Sequence, residues 1–498
     1  MANQDRPNFL IFMTDQQRGD TVYPYNRAIT PNLDKFAKEG ISFSRTYCPS
    51  PHCCPSRATF FTGLFPSEHG VWNNVNVGNA TSRGLISGVR LWSEDLKDAG
   101  YELDFSGKWH VSAVENPDNR GWKVSLLTAP KSNEIKEDGN YHPFELETGR
   151  WEQYQKLALE TEKKARGEGQ ILRSGYFDYT HYGVKENPFS DIDVVEDGIS
   201  IIKKREKSST PWCQFIGTLG PHDPYFVPER FLNMYDINHI KLPDSFHDDM
   251  KDKPALYRRT QDRFNQLTER EQKEALRHYL AFCSYEDYLF GAVLKALEEK
   301  GDIENTVVIY LSDHGDYAGD HGLWCKGLPS FSTNYHVPAI VRWPNGIKNP
   351  GRVVDDFVSL ADFGPTILEL AGVFAQRKFT GESLAPFIKN ESVENWRDAI
   401  FMQTNGNELY GIQRSVLTKE WRFVWNGFDY DELYDLTNDP HEMINLASNE
   451  EYQDIMKSLS KKLWKFAYEQ RDVCINWYIM TGLASHGPAF AFREDVSS

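Results

Sequence analysis

The segment from Pro51 to Gly63 combines a thiol with anion-binding residues at close spacing. Pro55 lacks an N–H and fits the first turn of a helix, which places Cys53 at the helix N-terminus and Arg57 one turn further along the same face. Free N–H groups and the helix dipole favour negative charge at that end. The segment therefore predicts a nucleophile beside an anion site. The alternative is a buried, inert cysteine pair, Cys53 and Cys54.

Polar residues also follow two apolar runs that have the character of buried parallel strands. One run leads into Asp15 and Gln16, and the other leads into Asp313 and His314. Ligands of open α/β sheets collect at the carboxyl ends of the strands. Two carboxylates, an amide oxygen and an imidazole suit a hard divalent cation such as Ca²⁺ or Mg²⁺. The four residues are therefore candidate metal ligands, although each alone could cap a helix or form a turn.

The cysteine segment resembles the signature of the type I sulfatases, Cys-X-Pro-Ser-Arg followed by Thr-Gly. The matching residues are Cys53, Cys54, Pro55, Ser56, Arg57, Thr62 and Gly63. In that family the first cysteine of the signature is oxidised before folding to formylglycine, an aldehyde that is hydrated in the resting enzyme. The resemblance implies this modification at Cys53, and with it a partner enzyme, either a formylglycine-generating enzyme or an anaerobic sulfatase-maturing enzyme.

The same resemblance covers the predicted metal site. Type I sulfatases bind one divalent metal through an Asp-Asp pair, the formylglycine, and an Asp-Asn or Asp-His pair. The implied ligands of one ion, Ca²⁺ before Mg²⁺ or Mn²⁺, are Asp15, Gln16, Cys53, Asp313 and His314. Gln16 departs from the sulfatase pattern and removes one negative charge. The pairs Asp-Gln and Asp-His are similar to those of the phosphonate monoester hydrolases, related enzymes that also carry formylglycine.

Basic residues in three further segments also match the family. Residues 107–110 read Gly-Lys-Trp-His, residues 221–224 read Pro-His-Asp-Pro, and a lysine follows Gly322-Leu-Trp-Cys. The resemblance implies six catalytic residues and one substrate-binding residue, Asn74. The six are Cys53, Arg57, Lys108, His110, His222 and Lys326.

A sulfate ester is negatively charged and repels nucleophiles, so its site must first neutralise that charge. The metal, Arg57, Lys108 and Lys326 are expected to do so. The resemblance implies that one hydroxyl of the hydrated aldehyde attacks sulfur and that His222 or Lys326 protonates the leaving oxygen. His110 then accepts the proton of the second hydroxyl, whose loss allows sulfate to leave. A plain serine or thiol has no second hydroxyl and would remain esterified.

The composition narrows the remaining classes. The chain has 498 residues, a formal net charge of −17 and seven cysteines without a Cys-X-X-Cys pair. Such a charge argues against a nucleic-acid partner, and few cysteines argue against a structural zinc site or a disulfide framework. No run of apolar residues is long enough to span a membrane, so no membrane partner is expected. The N-terminus lacks a signal-like apolar core, which predicts a cytoplasmic location, or a periplasmic or secreted one if a leader has been removed.

The alternation of strands and helices predicts an α/β fold. The resemblance makes it alkaline-phosphatase-like, with a large mixed, mostly parallel sheet sandwiched by helices and a smaller C-terminal α+β subdomain. The catalytic domain is predicted at residues 1–390, with an insertion at about 115–190, and the subdomain of antiparallel strands and a helix at 391–498. The apolar tail, residues 475–498, is expected to pack on the body or to form a homo-oligomer contact.

Three functions follow from these patterns. The first is a sulfuric ester hydrolase that releases sulfate from a carbohydrate or aryl sulfate. The second is a phosphonate monoester or phosphodiester hydrolase on the same scaffold. The third, from another class, is an inactive relative that binds glycans or anions and has neither formylglycine nor metal.

Overall fold

An eight-stranded sheet lies at the centre of the computed structural model of this chain. The structure describes residues 6–128, 165–172, 179–206, 210–375, 377–391, 393–407, 409–476 and 482–492. Most of the predicted insertion, residues 129–164 and 173–178, lies outside these ranges, as do residues 477–481 and 493–498 of the tail.

The described residues form sixteen strands. In chain order they are β1 (Asn8–Thr14), β2 (Ile41–Tyr47), β3 (Glu102–Lys108), β4 (Lys123–Thr128), β5 (Gln170–Ile171), β6 (Tyr179–Thr180), β7 (Tyr182–Val184), β8 (Trp212–Gly217), β9 (Tyr225–Val227), β10 (Thr306–Ser312), β11 (Ala339–Arg342), β12 (Arg352–Ser359), β13 (Ala399–Gly406), β14 (Tyr410–Thr418), β15 (Trp421–Asn426) and β16 (Glu432–Asp435).

The large sheet has the order β12-β2-β11-β10-β1-β8-β3-β4. Every neighbouring pair is parallel except the two pairs that β11 makes, with β10 and with β2. The predicted mixed, mostly parallel sheet is therefore confirmed. Because β1, β3, β8 and β10 run in the same direction, their carboxyl ends meet at one edge of the sheet.

Helices cover both faces of this sheet. Alternate residues of β1 enter different cores: Phe9, Ile11 and Met13 pack on one side, and Leu10 and Phe12 on the other. Such burial on both faces explains why the run is apolar throughout. The α-helices of the described residues are Pro31–Lys38, Cys53–Thr62, Pro66–His69, Trp92–Asp98, Asp191–Lys204, Glu229–Leu232, Ala255–Asp262, Glu269–Lys300, Ser332–Tyr335, Phe363–Leu370, Ala385–Ile388, Gln453–Glu469 and Pro488–Ala491.

A second, antiparallel sheet of four strands, β13-β14-β15-β16, follows in the C-terminal part of the chain. One face of this sheet packs against the helix Gln453–Glu469, in a core that includes Phe423, Trp425 and Trp464. The expected antiparallel meander and following helix are thus confirmed. The boundary at residue 390 between two domains stays a prediction.

Two strands of the large sheet are absent from the sequence-based prediction. Strand β12 carries Asp355 and Asp356 at an irregularity in its pairing with β2, and these charges interrupt its apolar alternation. Strand β4 lies within the predicted insertion but pairs in parallel with β3. The segment 123–128 is therefore an edge of the main sheet, and the bounds of the insertion, about 115–190, stay a prediction.

The described part of the tail packs on the C-terminal helix. The indole N–H of Trp464 donates to the carbonyl oxygen of His486 at 2.7 Å. The rings of Tyr468 and Phe492 lie 5.0 Å apart, and Ala491 is buried. The described part of the tail therefore packs on the body at Ala491 and at the Trp464–His486 hydrogen bond, whereas Leu483 is 78% exposed. A homo-oligomer contact through the tail stays a prediction. Within the described ranges, no helix has both the length and the apolar content needed to cross a membrane.

Candidate active site

The site begins where two neighbouring parallel strands end. Thr14 of β1 pairs in register with Ser312 of β10, so the next residues of both strands, Asp15 and Asp313, enter the same space. Both carboxylates are fully buried. The amide N–H of Gln16 donates to Asp313 Oδ1 at 3.1 Å, which ties the two strand ends together. The sequence predicted this meeting of strand ends.

Cys53 approaches these carboxylates from the N-terminus of the helix Cys53–Thr62. All ten residues of that helix are buried, and it ends at Gly63, whose left-handed φ of 70° suits glycine. The Cys53 sulfur lies 3.3 Å from His314 Nε2 and 3.7 Å from Asp15 Oδ1. Burial raises the pKa of the thiol, but Lys108, Lys326 and His314 outweigh burial and bring the pKa well below its ordinary value. Residue 53 therefore occupies a strongly electropositive position.

Four groups at this point form a cluster that fits a metal ion. One ligand atom from each of Asp15, Cys53, Asp313 and His314 lies within 4.8 Å of the others, and all four residues are buried. His314 Nδ1 lies 2.8 Å from the carbonyl oxygen of Gly315, so Nδ1–H donates there and the Nε2 lone pair faces the cluster. Two carboxylates and a correctly oriented imidazole suit a hard or borderline divalent cation.

Gln16 contributes its side-chain amide next to this cluster. Its Oε1 accepts a hydrogen bond from Lys326 Nζ at 2.7 Å. Its Nε2 donates to Asp316 and Asp223. The backbone of Gln16 has a φ of 67°, an unusual value for a residue other than glycine. The role of Gln16 as a metal ligand stays a prediction.

Arg57 lies beneath the cluster and contacts both carboxylates. Its Nε donates to Asp313 Oδ2 at 2.8 Å and its Nη2 donates to Asp15 Oδ2 at 3.3 Å. A third N–H, on Nη1, donates to the carbonyl oxygen of Lys108 at 2.9 Å. The guanidinium is fully buried, so these bonds satisfy and position two charges that would otherwise repel each other.

Lys108 and His110 enter from the end of β3. Gly107, with a φ of 101°, brings this strand end so close to β8 that a Cβ there would lie 2.0 Å from the carbonyl oxygen of Gly217. The Lys108 ammonium pairs with the Asp15 carboxylate. His110 interacts with Cys53. The pKa of its imidazole is lowered, chiefly by burial and secondly by the positive charge of Lys108. A neutral His110 beside residue 53 is suited to accept a proton.

His222 and Lys326 form the opposite wall of the site. Lys326 Nζ lies 2.7 Å from His222 Nε2. Burial disfavours the charged form of His222, but Asp223 and other acidic neighbours raise its pKa above the ordinary value. The His222 side chain is about a quarter exposed, 26%, which makes it one of the few accessible groups in an otherwise buried site.

Asn74 lies at the N-terminus of the cysteine helix. Its Oδ1 accepts from the N–H of Cys54 at 3.1 Å, and its own N–H donates to Asn407 Oδ1 at 2.8 Å. The structure thus brings all the predicted site residues together. Whether each has the predicted catalytic, metal-binding or substrate-binding role stays a prediction.

Three further residues of the site had no assigned role in the sequence analysis. Asp223 and Asp316 hold the amide of Gln16, and both lie within segments that the motifs already covered. His52 precedes Cys53 and is buried, and burial followed by Lys326 lowers the pKa of its imidazole to about 3. Of the three, Asp316 could have been identified from the sequence, because it lies only two residues after the candidate metal ligand His314.

The fold and this cluster define an alkaline-phosphatase-like hydrolase site. The sulfatase family model matches residues 7–373, and a model of the N-sulphoglucosamine sulphohydrolase C-terminal region matches residues 319–469. The chain belongs to the sulfatase family and is a sulfuric ester hydrolase.

Relatives of known class are similar over almost their whole length. An arylsulfatase of Clostridium perfringens is 28% identical over 481 aligned positions, which cover 92% of this chain and 94% of that protein. An N-acetylglucosamine-6-O-sulfatase of Bacteroides thetaiotaomicron is 25% identical over 540 aligned positions, 94% of this chain and 87% of the relative.

Solved structures share the fold. A phosphonate monoester hydrolase of Agrobacterium radiobacter has a TM-score of 0.75 at 22% identity, over 93% of this chain and 96% of its own. A protein in complex with its substrate, D-glucosamine-2-N,6-O-disulfate, has a TM-score of 0.72 at 21% identity, over 94% and 99% of the two chains. The predicted relation to sulfatases, with phosphonate monoester hydrolases on the same scaffold, is confirmed.

Proposed function

We propose that this sulfatase releases inorganic sulfate from a sulfated carbohydrate, using formylglycine at position 53 and one divalent cation. The observation that carries the proposal is the convergence of Cys53 with Asp15, Asp313 and His314 in one buried cluster. The hydrated aldehyde at residue 53 would supply the attacking hydroxyl. A bound cation would lower the pKa of that hydroxyl and neutralise part of the charge of the sulfate group.

Asp15, Asp313 and His314 would hold the cation, together with the Gln16 amide oxygen and residue 53. Ca²⁺ is proposed first because two of these groups are carboxylates, and Mg²⁺ or Mn²⁺ are the alternatives. Metal analysis of the purified protein, followed by chelation and replacement with each ion, distinguishes the three.

The protein's own residues account for binding of the anion. Lys108 and Lys326 bring two positive charges within reach of residue 53, and both lower the pKa of the Cys53 thiol. The same field that stabilises a thiolate would stabilise a sulfate ester beside residue 53 and the charge that develops during its cleavage. Arg57 would hold the carboxylates and only indirectly affect the substrate.

Two histidines that each interact with residue 53 would move the protons. Neutral His110 would accept a proton from residue 53, and His222 with Lys326 would donate one to the leaving oxygen. In the net reaction, water is consumed, the sulfur–oxygen bond of the ester breaks, and an alcohol, sulfate and a proton are released.

Carbohydrate sulfates are proposed over aryl sulfates as the natural substrates. Supporting this choice, one similar sulfatase acts on N-acetylglucosamine 6-O-sulfate by its name, and one protein of the same fold was solved with a disulfated glucosamine. A panel of defined sulfated sugars, assayed for sulfate release, tests the choice. Release from nitrophenyl sulfate with none from any sugar would contradict it.

A second candidate is a phosphonate monoester hydrolase. Gln16 in place of a second Asp and the likeness in fold to such a hydrolase favour it. Nitrophenyl sulfate and phenyl phosphonate monoesters, assayed side by side, separate the two. We expect the sulfate ester to be hydrolysed with the higher kcat/KM and the Cys53→Ala variant to hydrolyse neither. A higher kcat/KM for the phosphonate would favour the second candidate.

The third candidate, a binding protein without activity, requires the aldehyde and the metal to be absent.

The proposed partner for maturation is a formylglycine-generating or anaerobic sulfatase-maturing enzyme. Because Cys53 is only 1% exposed in the folded chain, we expect that enzyme to act on the chain before it folds. Active, aldehyde-containing protein obtained only by co-expression with such an enzyme would support this order.

A further inference from the structure

The side-chain amide of Gln16 is held at both ends by charged groups. Its Oε1 accepts from Lys326 Nζ at 2.7 Å. Its Nε2 donates to Asp316 Oδ2 at 2.6 Å and to Asp223 Oδ1 at 3.2 Å. An amide presents nearly the same shape when its oxygen and nitrogen are exchanged, so hydrogen-bond partners decide which atom faces which neighbour.

Asp316 is the better fixed of the two acceptors. It is fully buried, and the hydroxyl of Tyr225 donates at 2.6 Å to the same Oδ2 that accepts from Gln16. The N–H of Ala318 donates to Oδ1 at 2.7 Å. Both oxygens of the carboxylate therefore have donors, and the side chain cannot turn away from Gln16 without losing them.

We propose that Asp316 is a positioning residue that orients the Gln16 amide, so that Oε1 faces Lys326 and the metal cluster. With the amide reversed, its NH₂ group would face the Lys326 ammonium, and its oxygen would face two carboxylates. Each of these contacts pairs groups of the same polarity in a buried site. Asp316, held in place by the hydroxyl of Tyr225, thus determines that the oxygen of the Gln16 amide, and not its nitrogen, faces a cation in the cluster.

The same geometry explains why residue 16 is an amide in this chain. A carboxylate there would face the carboxylates of Asp316 and Asp223 without a hydrogen between them. Residues 16 and 316 therefore form a matched pair, an amide donor with a carboxylate acceptor. Exchanging the two chemical groups should preserve the pairing, whereas changing either one alone should destroy it.

A double-mutant cycle tests this pairing. The variants are Gln16→Glu, Asp316→Asn, and the two combined, each of nearly unchanged shape. Ca²⁺ affinity is measured by calorimetry at one fixed pH on protein in which residue 53 carries the aldehyde. We expect Asp316→Asn to bind Ca²⁺ about 10- to 100-fold more weakly, as found for partners of metal ligands. Gln16→Glu adds a carboxylate beside the cluster, so its pairing with residue 316 is read from the unfolding midpoint and not from Ca²⁺ affinity.

Asp287→Asn is the matched control. Asp287 is also buried and accepts hydrogen bonds from the N–H groups of Asn32 and Leu33, but it lies outside the site. This variant should unfold at lower urea concentration and keep wild-type Ca²⁺ affinity. Wild-type Ca²⁺ affinity in Asp316→Asn would overturn the proposal.

The inference uses the cation of the proposed function, so the cycle is also measured by urea unfolding of metal-free protein. Pairing of residues 16 and 316 predicts that both single variants lower the unfolding midpoint. The double variant should lie above Gln16→Glu but below the wild type, because the carboxylate at position 16 still faces Asp223. If the wild type binds no divalent cation but the midpoints show this rescue, the proposed metal fails and the pairing stands. Additive losses in the midpoints would overturn the pairing itself.

Discussion

The Lys326 ammonium nitrogen lies 2.7 Å from Nε2 of His222. His222 Nδ1 lies 2.5 Å from the carbonyl oxygen of Asp223, so Nδ1–H donates there and Nε2 accepts from Lys326. The two residues thus share one hydrogen at the accessible side of the site. Either residue can donate a proton to the leaving-group oxygen of a substrate that lies between Lys326 and His222.

This contact predicts that His222→Ala will discriminate between leaving groups. A sugar alkoxide needs a proton as it leaves, whereas nitrophenolate does not. We expect kcat for a sugar sulfate to fall by roughly 10²- to 10⁴-fold, the usual contribution of a general acid, and kcat for nitrophenyl sulfate to fall much less. Nitrophenyl sulfate is the internal control, and equal losses for both substrates would contradict the role.

The pH dependence of the same reaction gives a second readout for His222. Burial and Lys326 disfavour its imidazolium, but acidic neighbours, Asp223 foremost, raise its pKa above the ordinary value. An acid acts while protonated, so kcat/KM for a sugar sulfate should be full below this raised pKa and decline as the pH rises through it. That decline should be missing in His222→Ala. The same decline in the wild type and in His222→Ala would show that another group causes the loss of kcat/KM at high pH.

Arg57 is predicted to be essential for stability as well as for the site. Removing its guanidinium leaves the Asp15 and Asp313 carboxylates buried without their shared partner. Breaking a buried pair in this way costs about 3–5 kcal/mol. Urea unfolding of Arg57→Ala should show a loss of that size. Arg57→Lys should recover little, because a single ammonium nitrogen cannot reach the three acceptors that Nε, Nη1 and Nη2 of the planar guanidinium contact.

Arg45→Ala is the control for Arg57. Arg45 pairs with Asp355 near the surface, where the two side chains are 30% and 57% exposed. Such pairs contribute about 0.2–1 kcal/mol. A loss in Arg57→Ala no larger than in Arg45→Ala would show that Arg57 does not hold the carboxylates together.

A pair of buried acids behind the His222 segment predicts an unusual stability profile. Asp191 accepts from the N–H groups of Leu219 and Gly220, both at 2.8 Å, and burial raises its pKa from 3.8 to about 7. Glu286 lies beside it, and burial and Asp191 raise its pKa well above the ordinary value. The folded state thus holds a proton that the unfolded state has released.

The sign follows from that proton. The protonated pair contributes favourably to the free energy of unfolding. This contribution is complete below 3.8, the pKa of Asp191 in the unfolded chain, and it is lost as the pH rises toward 7. Glu286→Gln removes one of the two acids and can donate to the other. We expect the variant to be more stable than the wild type above pH 7 by about 1–3 kcal/mol and to show a flatter profile from pH 4 to 7.

Urea midpoints measured across the pH range test the acid pair. Glu299→Gln, on the exposed side of the same helix, is the control and should follow the wild-type profile. A Glu286→Gln variant that is less stable than the wild type at every pH would contradict a shared proton between Asp191 and Glu286.

Removal of divalent cations should lower both activity and thermal stability. A ligand that binds only the folded state stabilises it by mass action, and the metal cluster is assembled only when β1 and β10 are paired. We expect chelation to reduce the melting temperature and Ca²⁺ to restore it, with no response to Ca²⁺ in Asp313→Ala. An equal response in Asp313→Ala would place the ion elsewhere.

The sequence predicted the parts of the fold that regular patterns determine. Apolar runs such as β1 and β10 are buried on both faces, and their ends could be placed at one sheet edge. Strand β12 escaped the prediction because Asp355 and Asp356 interrupt its pattern at a pairing irregularity. Strand β4 escaped because it adjoins a long polar segment and only one of its edges is paired.

The candidate site was predicted in its members but not in its contacts. Motifs identified Gln16 and Lys326, because spacing and residue type are visible in a sequence. The contact between them, and the role of Asp316 behind Gln16, depend on loops after different strands. Three-dimensional partners of this kind leave no regular spacing, so only the structure reveals them.

The most direct test of the account relates the chemical state of residue 53 to activity. Preparations made with increasing amounts of a maturing enzyme are digested, and mass spectrometry gives the fraction of the active-site peptide that carries the aldehyde. Sulfate release by each preparation should rise in proportion to that fraction and extrapolate to zero when all of residue 53 is thiol. Full activity in a preparation that contains only Cys53 thiol would contradict it.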